Sequence, residues 1–135
     1  QPILIHTPHL EDKLKGTKLI IDALKNANVD HSRVVIDHVE EHTAGLVLDN
    51  GFWAGMTLYP ESKCTPARAI DILENFGMEN IWMNSACDWG HSDPLAVVKT
   101  ALEMGKRHYD KSTVERVIYE NPKTFLKQCP NFKVD

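Results

Sequence analysis

Two histidines and an aspartate stand out because each follows a short apolar run. Ile3-Leu4-Ile5 leads into His6, Val34-Val35-Ile36-Asp37 into His38, and Ile81-Trp82-Met83 into a polar cluster whose single acid is Asp88. Neutral imidazoles hold Zn²⁺ and similar ions, and carboxylates suit harder ions such as Mn²⁺ or Mg²⁺. A cation held by such groups polarises a scissile bond and lowers the pKa of water from about 15.7 towards about 7. A carboxylate alongside can accept the water's proton. This is hydrolytic chemistry, and it requires three side chains distant in sequence to meet. Singly, each has a plainer explanation: a histidine at a strand end is often a hydrogen-bonded loop residue, and Asp is favoured as a helix N-cap.

The elements that would bring them together are short and alternate in type. Strands are expected at 2–6, 33–38, 52–59 and 81–84, each aliphatic or β-branched. Between them the spacing predicts helices over 11–28, with Ile20, Ala23, Leu24 and Ala27 inward, and over 41–49, stopped by Asn50-Gly51. A third helix begins at the Thr65 cap and Pro66, carries Ala69, Leu73 and Phe76 inward, and stops at Gly77. A fourth, capped by Ser92 or Asp93, runs over 94–106 with Leu95, Val98 and Leu102 on one stripe. A last helix over 113–120 presents Val114, Val117 and Ile118 and ends at Asn121-Pro122. The order β-α-β-α-β-α-β-α-α implies a parallel sheet. Either an open doubly wound sheet or half of a (β/α)₈ barrel would satisfy it. No G-x-G-x-x-G follows the first strand, and three potential ligands at three strand ends favour the barrel, whose active-site loops share one face.

Bulk properties narrow the field. The chain has 135 residues, 42% hydrophobic and 25% charged, with a formal net charge of -4, an ordinary globular composition. We read 1–135 as a single domain, and as a partial one because of its abrupt start. No basic stripe exists to capture nucleic acid electrostatically, although a metal can bind phosphate without one. No apolar run approaches the roughly 20 residues of a bilayer span, so no membrane partner is expected. Cys64, Cys87 and Cys129 form neither a C-x-x-C pair nor a disulfide framework, and a reducing cytoplasm is the expected compartment. The first residue is Gln1, and the first strand begins almost at once. We read this as the start of a piece of a larger fold, or of a split subunit.

The segments Ile5-His6-Thr7-Pro8 and Ile36-Asp37-His38 resemble the fifth and sixth strands, with their histidine ligands, of TatD-like metal-dependent hydrolases in the amidohydrolase superfamily. The stretch Asn84-Ser85-Ala86-Cys87-Asp88-Trp89-Gly90 with Ser92-Asp93-Pro94-Leu95 resembles the eighth strand and its catalytic aspartate loop, in the form typical of an uncharacterised branch. Val117-Ile118-Tyr119-Glu120-Asn121-Pro122 with Phe125 is similar to the terminal helices. The more familiar branch ends its eighth strand in Glu-Thr-Asp, which is absent here. The resemblance covers roughly residues 2 to 126. It implies an α/β fold corresponding to the C-terminal half, strands five to eight, of a TIM-type barrel with outer helices. The family's first-strand His-x-His pair and fourth-strand acidic ligand have no counterpart in the chain.

By the resemblance, His6, His38 and Asp88 would bind a divalent cation (Zn²⁺, or Mn²⁺ or Mg²⁺), and Asp88 would accept the proton of the attacking water. His9, Trp89 and His91 would contact an unknown small-molecule or phosphoester substrate, although simple surface exposure also explains the two histidines. The reaction would cleave an ester, amide or phosphoester, with an isolated chain inactive or nearly so. A second reading is non-catalytic: a half-barrel pairing with an N-terminal half or with another copy of itself through open sheet edges. A third reading, an inverted zinc-protease motif at His38-Val39-Glu40-Glu41-His42, would need both histidines on one helical face. Because His38 closes a strand-like run, that geometry is not expected.

Overall fold

The computed structural model describes residues 1–7, 12–59, 64–86 and 92–134. Four parallel strands, β1 (Ile3–His6), β2 (Val34–Asp37), β3 (Trp53–Leu58) and β4 (Ile81–Ser85), lie side by side in chain order. Sequential order with helical crossovers is the pattern of a barrel arc, in contrast to a doubly wound sheet, whose strand order reverses at a switch point. Helices α1 (Lys13–Asn26), α2 (Ala44–Asp49), α3 (Pro66–Phe76) and α4 (Ala96–Lys106) supply the crossovers and the outer layer. The chain closes with α5 (Lys111–Glu115), a π-helical turn at Arg116–Glu120 and α6 (Asn121–Leu126).

Strand register sorts the side chains into two faces. Ile5, Ile36, Ala54 and Ile81 lie in one lateral row. With Val34, Met56, Leu58 and Met83 they pack against Ile21, Leu24, Val47, Ile70, Leu73 and Met104 in the main core. Burial of this face against the helices is the chief stabilising contribution. On the opposite face Val35, Trp53 and Trp82 gather around Phe125. The two indoles meet its ring edge-on, with centroids 5.5 Å and 5.2 Å away, a favoured aromatic geometry. Trp53 and Trp82 are thus packing residues, as their aliphatic surroundings in the sequence imply.

Most boundaries fall within two residues of expectation, but several faces do not. Helix α1 buries Gly16, Thr17, Ile21 and Leu24, while Ala23 and Ala27 are exposed. Gly16 and Thr17 weaken helix propensity yet let the helix approach closely, and the Thr17 hydroxyl is satisfied by the Lys13 carbonyl at 2.9 Å. Helix α4 differs more. Its inward residues are Ala96, Thr100 and Met104, whereas Leu95, Val98 and Leu102 are 56%, 54% and 63% exposed. The larger apolar stripe is left exposed, with Leu102 beside Pro66 at the start of α3. Phe76 is also partly exposed, but it lies over Gly45, where a β-carbon would come within 2.8 Å of its ring.

The expected break at Asn121-Pro122 is not a break. Pro122 falls in the first turn of α6, where a missing N–H costs little, and the preceding π turn absorbs the change in register. The Asn121 amide donates to the carbonyls of Met78 and Ile81, both at 2.7 Å. These bonds tie α6 beneath β4 and place Phe125 against the indoles.

Candidate metal centre

The face opposite the main core carries the polar chemistry. His6, Asp37, Gly55 and Trp82 are lateral partners across β1 to β4, so the side chains of His6 and Asp37 project to the same side. His38 follows the last residue of β2, where alternation would turn it towards the helices. Its backbone instead takes φ 65, a left-handed conformation uncommon outside Gly, Asn, Asp and His. This turn brings His38 Nε2 to 2.8 Å from His6 Nδ1. One ring must supply the hydrogen between them, and the other accept it.

Asp37 lies beside the pair, with an Oδ2 4.0 Å from His38 Nε2. It is only 7% exposed. The Thr57 hydroxyl donates to Oδ2 at 2.9 Å, and the Asn84 amide donates to Oδ1 at 3.2 Å. Thr7 straddles the same strand end, its hydroxyl donating to the Asp37 carbonyl at 2.9 Å. Gly55 makes room: a β-carbon there would stand 2.6 Å from Asp37 Oδ1 and 3.0 Å from the Trp82 indole nitrogen. One nitrogen from each histidine and one carboxylate oxygen lie within 4.8 Å of one another. Two imidazoles and a carboxylate form a donor set suited to a divalent cation; to share one ion the hydrogen-bonded nitrogens would part slightly and the carboxylate oxygen would move closer.

The surroundings separate this cluster from its neighbours. Glu40 pairs with Lys13 at 2.6 Å. Glu41 is held by Arg68 through two bonds of 2.7 Å. Those bonds to the guanidinium hold the Glu41 carboxyl below its ordinary pKa and raise that of Arg68. Cys64 lines the small cleft behind His38 with Lys13, Val39 and Thr57. Burial pushes its thiol up to about 11, so it stays protonated and is a poor nucleophile. The inverted-protease geometry is absent: α2 begins at Ala44, His42 precedes it on the exposed side, and His38 adopts a left-handed turn. The two histidines share no helix, and Glu41 is committed to Arg68.

Of the residues singled out from the sequence, His6 and His38 meet. Asp88, His9, Trp89 and His91 lie outside the described residues, as does Cys87. The sequence reading overlooked Asp37, Thr57 and Asn84. Asp37 was visible as an acid closing an otherwise apolar strand. Thr57 and Asn84 become partners only through the β3–β4 register.

Parallel β/α units with potential ligands at the carboxyl ends of their strands are the pattern of an arc of a (β/α)₈ barrel. Known proteins agree. The chain is 29% identical over 126 residues to an uncharacterized metal-dependent hydrolase of Methanocaldococcus jannaschii, covering 93% of this chain and 49% of that protein. The crystal structure of a TatD-like protein from Archaeoglobus fulgidus matches with a TM-score of 0.70 at 26% identity, over 93% of this chain and 47% of the other. A beta-aspartyl dipeptidase from Fervidobacterium islandicum, solved with a beta-Asp-Leu dipeptide, shares the fold alone: TM-score 0.68, 10% identity, 92% of this chain and 37% of the other. No family model matches. The chain is similar to TatD-like metal-dependent hydrolases and spans about half the length of the curated relative it matches.

Proposed function

We propose that the chain is the C-terminal half of a (β/α)₈ hydrolase that uses metal-activated water to cleave an ester, amide or phosphoester bond. The 2.8 Å approach of His6 and His38 at neighbouring strand ends carries this reading. A divalent cation bound there would supply Lewis acidity and lower the pKa of water towards neutrality. His6 and His38 would hold it, with the left-handed turn at His38 bringing the second imidazole to the first. Asp88, by its place after β4 and by resemblance, accepts the water's proton. His9, Trp89 and His91, which follow β1 and β4 in the sequence, would contact substrate.

The chain's share of the site is partial, because its relatives are about twice as long. The partner we propose is an N-terminal half-barrel; a second copy of the chain is the competing occupant. Among the described residues, β1 and β4 each pair on one side only. The open ends carry partly exposed Ile3 and Leu4 on β1, and Leu95, Val98 and Leu102 beside β4. Open strand edges flanked by apolar side chains favour further pairing. Among the described residues no helix is long and apolar enough to cross a membrane. The free thiols Cys64 and Cys129 fit the reducing cytoplasm we assign.

Hydrolysis of p-nitrophenyl esters and bis(p-nitrophenyl) phosphate, with Zn²⁺ or Mn²⁺ and with the complementary half supplied, tests the reading. Metal-dependent turnover should be abolished by chelation and fall at least about a hundredfold in His38→Ala, the loss of a group acting only through the reacting centre. Undiminished turnover in His38→Ala would contradict it. The chain alone should be nearly inactive.

A further inference from the structure

We infer that Asp37 is a third metal donor, so that this half carries a cation-binding triad, His6, Asp37 and His38, without any residue from elsewhere. The inference rests on the reading of His6 and His38 as ligands given above. Asp37 sits in the same lateral row as His6 and one residue before His38. Its carboxylate is buried, and among the described residues no lysine or arginine pairs with it. A buried carboxylate needs compensation for lost hydration. Thr57 and Asn84 provide one hydrogen bond to each oxygen. Each carboxylate oxygen has a second lone-pair direction, so capacity to accept remains.

The two bonds also explain how the carboxylate is aimed. Thr57 and Asn84 are lateral partners on β3 and β4, and together they fix both oxygens from the side away from β1. Gly55 clears the space the oxygens occupy. A purely structural Asp would not need to lie within reach of two imidazole nitrogens that already approach each other. Two histidines and one carboxylate on one face form a set that leaves positions open for water, substrate or donors from the rest of a barrel.

Titration of the full chain with Co²⁺, followed by its visible absorption and by Zn²⁺ competition, tests this without reference to activity. Wild type should take up one equivalent. Asp37→Asn, which preserves shape and can still bond Thr57, should weaken binding by at least about tenfold and change the absorption intensity. His6→Ala and His38→Ala should weaken it at least as much. Thr57→Val keeps the carboxylate but frees one oxygen, so a smaller loss is expected there. If Asp37→Asn does not fold, an unchanged spectrum and affinity in Thr57→Val overturns the inference. Equal affinity of wild type and Asp37→Asn, lost in His6→Ala, overturns the role of Asp37 and leaves the hydrolase reading intact. Binding unaffected in all the variants removes both. A wild-type chain that takes up no Co²⁺ overturns the self-contained triad, while His6 and His38 could still act in the assembled barrel.

Discussion

The two faces of the sheet are built on different terms. The helix-facing side is a continuous aliphatic surface, in which Ile36, Ala54, Met56 and Ile81 are fully buried. The other side changes character along the strands. Near their amino ends Val35, Trp53 and Trp82 are sealed by Phe125; near their carboxyl ends Thr57 and Asn84 donate to Asp37, beside the bonded pair of His6 and His38. Adjacent residues of one strand thus face different surroundings: Ile36 lies in the aliphatic core, and Asp37 in the polar group proposed as a cation site. A parallel strand separates the two by alternation alone.

Substitutions on the two sides should separate them experimentally. The largest loss is expected from Phe125→Ala, about 3–5 kcal/mol, because three rings lose their common contact. Ile36→Ala should cost about 2–5 kcal/mol by the same cavity argument. In both, denaturant melts should shift while cation affinity of the folded protein stays near wild type. If Ile36→Ala instead removed cation binding in a folded protein, the division between faces would be wrong.

Gly55→Ala sharpens the contrast from the other side. The added β-carbon would press on Asp37 Oδ1, on the Asp37 α-carbon at 3.2 Å and on the Trp82 indole. Overpacking of this kind costs about 1–3 kcal/mol. Unlike Ile36→Ala, it should also weaken cation binding, because the atom displaced is a proposed donor. Calorimetry on the folded variant would detect that loss, and an unchanged affinity would show that the Asp37 position is not critical.

The smallest effect is expected far from both faces, at the cap of α5. The Asp110 carboxylate accepts from the Ser112 hydroxyl and from the backbone and side chain of Thr113. The Ser112 hydroxyl, followed by the Thr113 contacts, lowers its pKa to about 2 from 3.8. A depressed carboxyl pKa stabilises the folded chain fully above about 3.8 and loses that effect as pH falls through about 2. Between those values wild type should lose its small stability advantage over Asp110→Ala, as followed by helical circular dichroism. A difference that persists unchanged to pH 1 would contradict this assignment.

The sequence made the fold legible where one pattern dominated. Short β-branched runs, the Thr65-Pro66 start and the Gly77 stop identify elements directly, because propensity and capping are local. Helix faces were harder. The stripe Leu95, Val98 and Leu102 has the spacing of a buried face, yet it lies outward, because orientation in the arc is set by neighbours and not by hydrophobicity alone. At the site, His6 and His38 were legible from their places after apolar runs. The turn that lets them meet was not, since nothing local demands φ 65 at His38. Nor was the support of Asp37, which depends on residues 20 and 47 positions away.

On the reading proposed above, His6 and His38 share one divalent cation. Anomalous diffraction at the zinc edge, from crystals of the Zn²⁺-loaded chain, tests it most directly. A single strong peak is expected between His6 Nδ1 and His38 Nε2, with Asp37 in the same shell. A fully occupied zinc elsewhere, with the two imidazoles still bonded only to each other, would contradict it.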